Sequence, residues 1–260
     1  MRGIDISNYQ AGLDLVKAGS AGIEFAICKL SEGRTYKDRQ FDTFYQQAQA
    51  CGLPLGAYVY SHATSPDAAI AEAKYALQIL GGKQLALGIY MDVETNAQMS
   101  IPSNQLRDTV KAFCAIISAA GYRSGIYGSE YNLWARIRPQ DFPNSIIWVA
   151  HYGKTPAFSC DIWQRSDSGS FPGYNGPVDM DEVMSERMKA IIKGENNVSE
   201  PQDGIPDNTQ KIEQSYDVLL LQMAMQYDDY WPGIIDGLNT ASWREAFKKY
   251  ASDVLGVEIK

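Results

Sequence analysis

Short apolar, β-branched or aromatic runs alternate with amphipathic stretches over roughly the first 190 residues of the chain. The runs are "GIDIS", "GIEFAICKL", "LPLGAYVYS", "LALGIYMDVE", "RSGIYGS", "SIIWVAHY" and "CDIWQR". Between them the spacing is helical: Leu106, Val110, Phe113, Ile117 and Ala120 recur at steps of three or four and stop at Gly121. Phe41, Phe44, Tyr45 and Ala48 do the same before Gly52, as do Ala69, Ala73, Ala76 and Leu80 before Gly81 and Gly82. Strand, helix, glycine turn and strand in repetition predict βαβ units. About eight strands and five or six helices fit a region smaller than the roughly 250 residues of a regular eightfold barrel. The prediction is therefore an α/β fold, an irregular, shortened TIM-like β/α barrel. A doubly wound open sheet is the alternative, disfavoured because no Gly-rich phosphate loop follows any strand.

The pattern changes after residue 193. Residues 194–209 are rich in Gly, Pro, Asn, Asp and Ser and read as a linker between a barrel domain, residues 1–193, and a small helical C-terminal module, residues 210–260. In that module Ile212, Tyr216, Leu219, Met223 and Tyr227 form one stripe, and Trp243, Phe247, Tyr250 and Val254 another. So short a piece buries little apolar surface alone and is expected to dock on something. Charge separates the regions too: from Glu195 onward there are 12 acidic and 5 basic residues, a net of −7 out of −8 for the chain. No basic patch points to nucleic acid. No apolar stretch is long enough to span a membrane, and no charged-then-apolar leader opens the chain, so cytoplasmic synthesis without a signal peptide is expected. Cys28, Cys51, Cys114 and Cys160 lack metal-ligand spacing and read as reduced core thiols.

The candidate chemistry lies at strand ends. Asp92 and Glu94 close the run "LALGIYMDVE"; alternation along an extended chain would put both on one face, about 7 Å apart. Asp5 sits in the first strand and Asp179 in the last, "GPVDMDEV". If the barrel closes, these strands deliver their acids to one mouth. Crowded carboxylates raise at least one pKa, separating a proton donor from an ionised partner, as glycosidic bond cleavage requires. Structural roles compete: Asp92 and Glu94 as helix caps, Asp5 in a turn with the Ser7 amide, and Asp179 or, better placed, Asp181 as a cap for the helix that follows. Clustered acids also suit a hard cation, but the only histidines, His62 and His151, have no ligand spacing, and neither metal nor cofactor is expected. Tyr58, Tyr60, Tyr90, Tyr127, Trp148, Tyr152 and Trp163 lie at or near strand ends, suited either to core filling or to sugar rings.

Taken together, "GIDISNYQ", "FAICKLSEG", "GAYVYS", "YMDVE", "GIYGS", "WVAHY", "IWQ" and "VDMDEV", in that order over about residues 2–192, resemble glycoside hydrolase family 25, the Chalaropsis-type lysozymes that include many phage endolysins. The resemblance implies an irregular α/β barrel and an N-acetylmuramidase that cleaves the β-1,4 bond from N-acetylmuramic acid to N-acetylglucosamine in peptidoglycan. It implies Glu94 as general acid, Asp92 as the second acid of an Asp-x-Glu pair, acting as nucleophile or by holding the substrate N-acetyl group, and Asp5 and Asp179 as further active-site aspartates. Tyr58, Tyr60, Tyr127, Trp148, Tyr152 and Trp163 would contact substrate. "YVYS" departs at Val59 from a frequent aromatic-His-Phe ending. The tail resembles small helical peptidoglycan-binding modules, so it is expected to bind wall or to mediate self-association. The alternative function is a non-catalytic wall-binding protein on the same barrel.

Overall fold

The structure, a computed structural model, describes residues 1–195 together with Ala246, Lys248 and Lys249. The expected C-terminal module and nearly all of the linker lie outside the described residues. The strands are β1 (Arg2–Ile6), β2 (Phe25–Glu32), β3 (Tyr36–Lys37), β4 (Leu55–Tyr60), β5 (Ile89–Asp92), β6 (Ser124–Ser129), β7 (Ile146–Ala150), β8 (Ile162–Gly169) and β9 (Val178–Val183). The helices are α1 (Leu15–Ser20), α2 (Phe41–Cys51), α3 (Pro66–Leu80), α4 (Asn96–Ser100), α5 (Ser103–Ala119) and α6 (Glu186–Ile192). The three helices expected from spacing are α2, α3 and α5, and Gly52 and Gly81 end two of them in the left-handed conformation, φ 67° and 61°.

The hydrogen-bonded order β1-β9-β8-β7-β6-β5-β4-β2, with a further β1–β2 pairing, closes an eight-stranded mixed α/β barrel; β3 is a two-residue attachment to β2. That closure excludes the doubly wound alternative. The barrel is irregular in one specific respect: β9 runs antiparallel to both of its neighbours, β1 and β8. Asp179 therefore lies at the start of its strand rather than at a C-terminal end, yet it still reaches the mouth formed by the C-terminal ends of the parallel strands. It stands directly across from Asp5.

Alternation sorts the strand residues into two cores. Ile4, Cys28, Val59, Met91, Ile126 and Val149 face outward and pack with the helices. Phe25, Ile27, Tyr90, Trp148 and Ile162 fill the barrel interior, and Met188 and Ile192 of α6 join them. Gly125 gives Tyr90 its room, because a Cβ there would stand 2.2 Å from Cδ1 of the ring. All four cysteines are free; Cys28, Cys114 and Cys160 are buried, but Cys51, at the end of α2, is exposed rather than a core thiol. Among the described residues, no helix is long and apolar enough to cross a membrane.

Candidate active site

The opening motif "GIDISNYQ" builds the first wall. Ser7 and Gln10 form a capping box on the turn after β1: the Tyr9 amide donates to Ser7 Oγ at 3.2 Å and the Ser7 amide to Gln10 Oε1 at 3.0 Å. The Ser7 and Tyr9 amides are thus satisfied within the turn and the Asn8 amide by Asp38 Oδ2 at 3.1 Å, and Asp5 is left to face the barrel mouth, where Gln164 Nε2 donates to its Oδ2 at 2.8 Å. The loop after β5 works alike. Thr95, with Gln98, caps α4, so neither Asp92 nor Glu94 serves as the cap. Asp92 ends β5 and is buried; Glu94, two residues on and beyond the strand, stands exposed in the opening. Asp181 is not a helix cap either: Ser185 caps α6, and Asp181 lies fully buried inside the barrel, accepting a hydrogen bond from Trp148 Nε1 at 2.8 Å.

These residues surround a cleft of about 480 Å³ lined by Asp5, Asp92, Glu94 and Asp179, by Tyr58, Tyr60, Tyr127, Trp148 and Tyr152, and by Lys29, Glu32, Gln164 and the rim residue Tyr9. Trp163 is the exception among the expected aromatics. In β8, Ile162 and Gln164 face inward, so Trp163 faces outward, packs on the outer core and donates its indole N–H to the His151 carbonyl at 2.7 Å. Trp148 is floor rather than platform: it is 1% exposed and has the Tyr127 ring 4.5 Å away, centroid to centroid.

Burial dominates the electrostatics. It raises Asp5 well above the usual carboxylate range, and the charges of Asp181 and Asp179 push the same way. A hydrogen bond between Asp5 and Asp179 raises the former and lowers the latter, which places the proton on Asp5. Asp179 is nevertheless raised by burial to about 6, and Asp181 by burial to about 8. Desolvation also raises Asp92, helped by the Glu94 charge, and raises Glu94, helped by Asp179; Lys29 pulls both down. Asp92 Oδ1 is buried without a hydrogen-bond partner, in a residue that lines the cleft.

Sequence reasoning missed three residues that shape this site. Gln164 holds Asp5 through its Nε2 and accepts Tyr127 and Tyr152 hydroxyls on its Oε1 at 2.8 and 3.0 Å. Lys29 is a buried cation 2.6 Å from Glu32. Asp181 is the third. A polar residue inside an apolar strand run was the available signal for Gln164 and Lys29. Among the described residues no group of three or more His, Cys, Asp and Glu side chains is arranged to hold a metal ion.

The family profile for glycosyl hydrolases family 25 matches residues 4–174. The autolytic lysozyme of Clostridium acetobutylicum is 29% identical over all of this chain and 75% of its own length, and the lysozyme of Lactococcus phage mv1 is 28% identical over 65% of this chain and 91% of its own. Among solved structures, the bacterial lysozyme from Streptomyces coelicolor superposes with a TM-score of 0.65 at 27% identity, covering 75% of this chain and 98% of that one. With the profile spanning well over half the sequence and the acid-lined barrel mouth in place, the chain belongs to glycosyl hydrolases family 25.

Proposed function

We propose that this glycoside hydrolase is a lysozyme, an N-acetylmuramidase that cuts the β-1,4 bond between N-acetylmuramic acid and N-acetylglucosamine in peptidoglycan. The observation that carries the reading is the pairing of a buried, unpartnered Asp92 Oδ1 with an accessible Glu94 of raised pKa in one cleft. The names of the lysozyme relatives support the substrate.

In this reading Glu94 is the general acid. It protonates the leaving glycosidic oxygen while the oxygen of the substrate's own 2-acetamido group attacks the anomeric carbon. The Asp92 carboxylate accepts the acetamido N–H, a bond that favours the ionised form of Asp92 and leaves the pair's proton on Glu94. Glu94, now a carboxylate, then takes a proton from the water that opens the cyclic intermediate, and configuration is retained. Asp179 holds negative charge beside the developing cation, while Asp5, fixed by Gln164, keeps the proton the two acids share. Tyr58, Tyr60, Tyr127 and Tyr152 supply ring faces and hydroxyls to the sugars, over the Trp148 floor.

Glu94→Gln is expected to keep the fold and lower turnover on wall by about two to four orders of magnitude. Mass spectrometry of borohydride-reduced digests checks this together with the bond: reduced muramic acid ends from wild type alone agree, whereas reduced glucosamine ends or an active variant refute it. Intact wall after wild-type treatment would favour the non-catalytic binding protein. We place the activity in lysis of a phage-infected host, supported by the likeness to a phage lysozyme. The likeness to an autolytic lysozyme, over all of this chain and 75% of that relative, favours turnover of the cell's own wall as the second reading. A lysogen deleted for this gene that still releases phage would turn the assignment to that reading.

A further inference from the structure

Beside the catalytic cleft lies a second groove, of about 610 Å³, walled by the turn Gly33–Tyr36 on one side and by His62, Ala63 and the first turns of α3 on the other. Glu32 lines both spaces, so they adjoin at that residue. A bulge in β2 makes this so. Lys29 pairs with inward-facing Tyr58, Ser31 with outward-facing Val59 and Glu32 with Tyr60, so one extra residue turns Glu32 back toward the mouth. There it is held from both sides, by Lys29 Nζ at 2.6 Å and by His62 Nε2 at 3.1 Å.

The groove is built rather than incidental. Glu72, 5% exposed at its base, accepts from Ser61 Oγ at 2.6 Å and from the His62 amide at 3.0 Å, while Gln98 Nε2 reaches Ser61 Oγ at 3.2 Å. The Tyr60 ring lies edge-on to the imidazole at 5.3 Å. Gly33, at φ 54°, brings the turn close enough that a Cβ there would stand 3.4 Å from His62 Cδ2. On this fixed base stand an exposed guanidinium, Arg34, with no ion pair or hydrogen bond among the described residues, and an acid, Asp67, in the first turn of α3.

A muramic acid glycan is branched: each lactyl group carries a short peptide that has free carboxylates and a free amine. When the glycan occupies the cleft, that peptide must leave it sideways. We propose that the groove binds the stem peptide of a muramic acid bound in the cleft, Arg34 taking a peptide carboxylate and Asp67 the side-chain ammonium. This rests on the muramidase reading and extends it from the bond cut to the branch recognised. The pairing of an exposed guanidinium, whose charge also acts on the buried Glu72, with an acid across one groove matches the alternating charge of such a peptide.

The test compares two soluble substrates, glycan strands with stem peptides intact and the same strands stripped by an amidase, cut by the full chain and by its Arg34→Glu and Asp67→Asn variants. Arg34→Glu is expected to lower kcat/KM about five- to tenfold on the peptide-bearing strands, mainly through KM, and to leave the stripped strands unchanged. Asp67→Asn is expected to lower it less and in the same substrate-dependent way. Equal losses on both substrates, or no loss on peptide-bearing strands, overturn the proposal while leaving the muramidase reading standing. Failure of wild type to cut either strand removes that reading, and the groove's assignment with it.

Discussion

Two side chains shut away from solvent, Asp181 and Gln164, govern the acids above them. Gln164 spends its amide on Asp5 and its carbonyl on two tyrosine hydroxyls, so a single residue sets the position of an acid and of two ring edges. Asp181 is tied to the cleft floor through Trp148, and its Oδ2 has no partner. An unfolded aspartate titrates near 3.8 and this one at about 8, so folding favours its proton. Its contribution to stability is complete below about pH 4 and is lost as pH rises through about 8. Asp181→Asn keeps the shape and removes the titration. The melting temperature of the variant relative to wild type is expected to rise by on the order of 10 °C between pH 4 and pH 8, measured by calorimetry. Parallel curves across that range would show that Asp181 is not held neutral by the fold.

At the scale of elements, legibility followed periodicity. The βαβ alternation, the glycine stops of α2 and α3 and the apolar stripe of α5 are local patterns, and the sequence displays them directly. The convergence of Asp5, Asp92, Glu94 and Asp179 was readable too, because strand ends in a closed barrel have one place to go. The misreadings came from phase and direction. "IWQ" alternates, so the indole and the amide cannot both face the mouth; the amide does, and Trp163 packs outside. The β2 bulge shifts Glu32 by half a period, which no apolar-polar pattern shows when the intervening Leu30 and Ser31 are both buried. The reversed direction of β9 depends on which strands it finds as neighbours, a long-range property invisible to local spacing. The same reversal explains Asp181: its strand carries it down into the barrel rather than up toward a helix.

For the whole molecule, the 12 acidic residues from Glu195 onward and the two aromatic stripes among them set the tail apart from the barrel. We propose that this tail holds the enzyme on wall while the barrel alone performs hydrolysis. Deleting residues 195–260 is expected to lower co-sedimentation with purified wall severalfold while changing cleavage of soluble glycan less than about twofold, measured side by side. Unchanged sedimentation would redirect the tail to self-association.

Because β9 returns against the other strands, the barrel hands its chain on from the end opposite the acids: Val183 meets Met1 there, its amide donating to the Met1 carbonyl at 3.1 Å, and α6 seats Met188 and Ile192 in the barrel interior like a stopper. Both ends of the catalytic unit therefore emerge at the back. A tether fixed at Met1 is therefore expected to hold the barrel from behind and to leave its acid-lined mouth facing away from the anchor. An enzyme fixed to a bead through that end is expected to keep its cleft turned toward the wall.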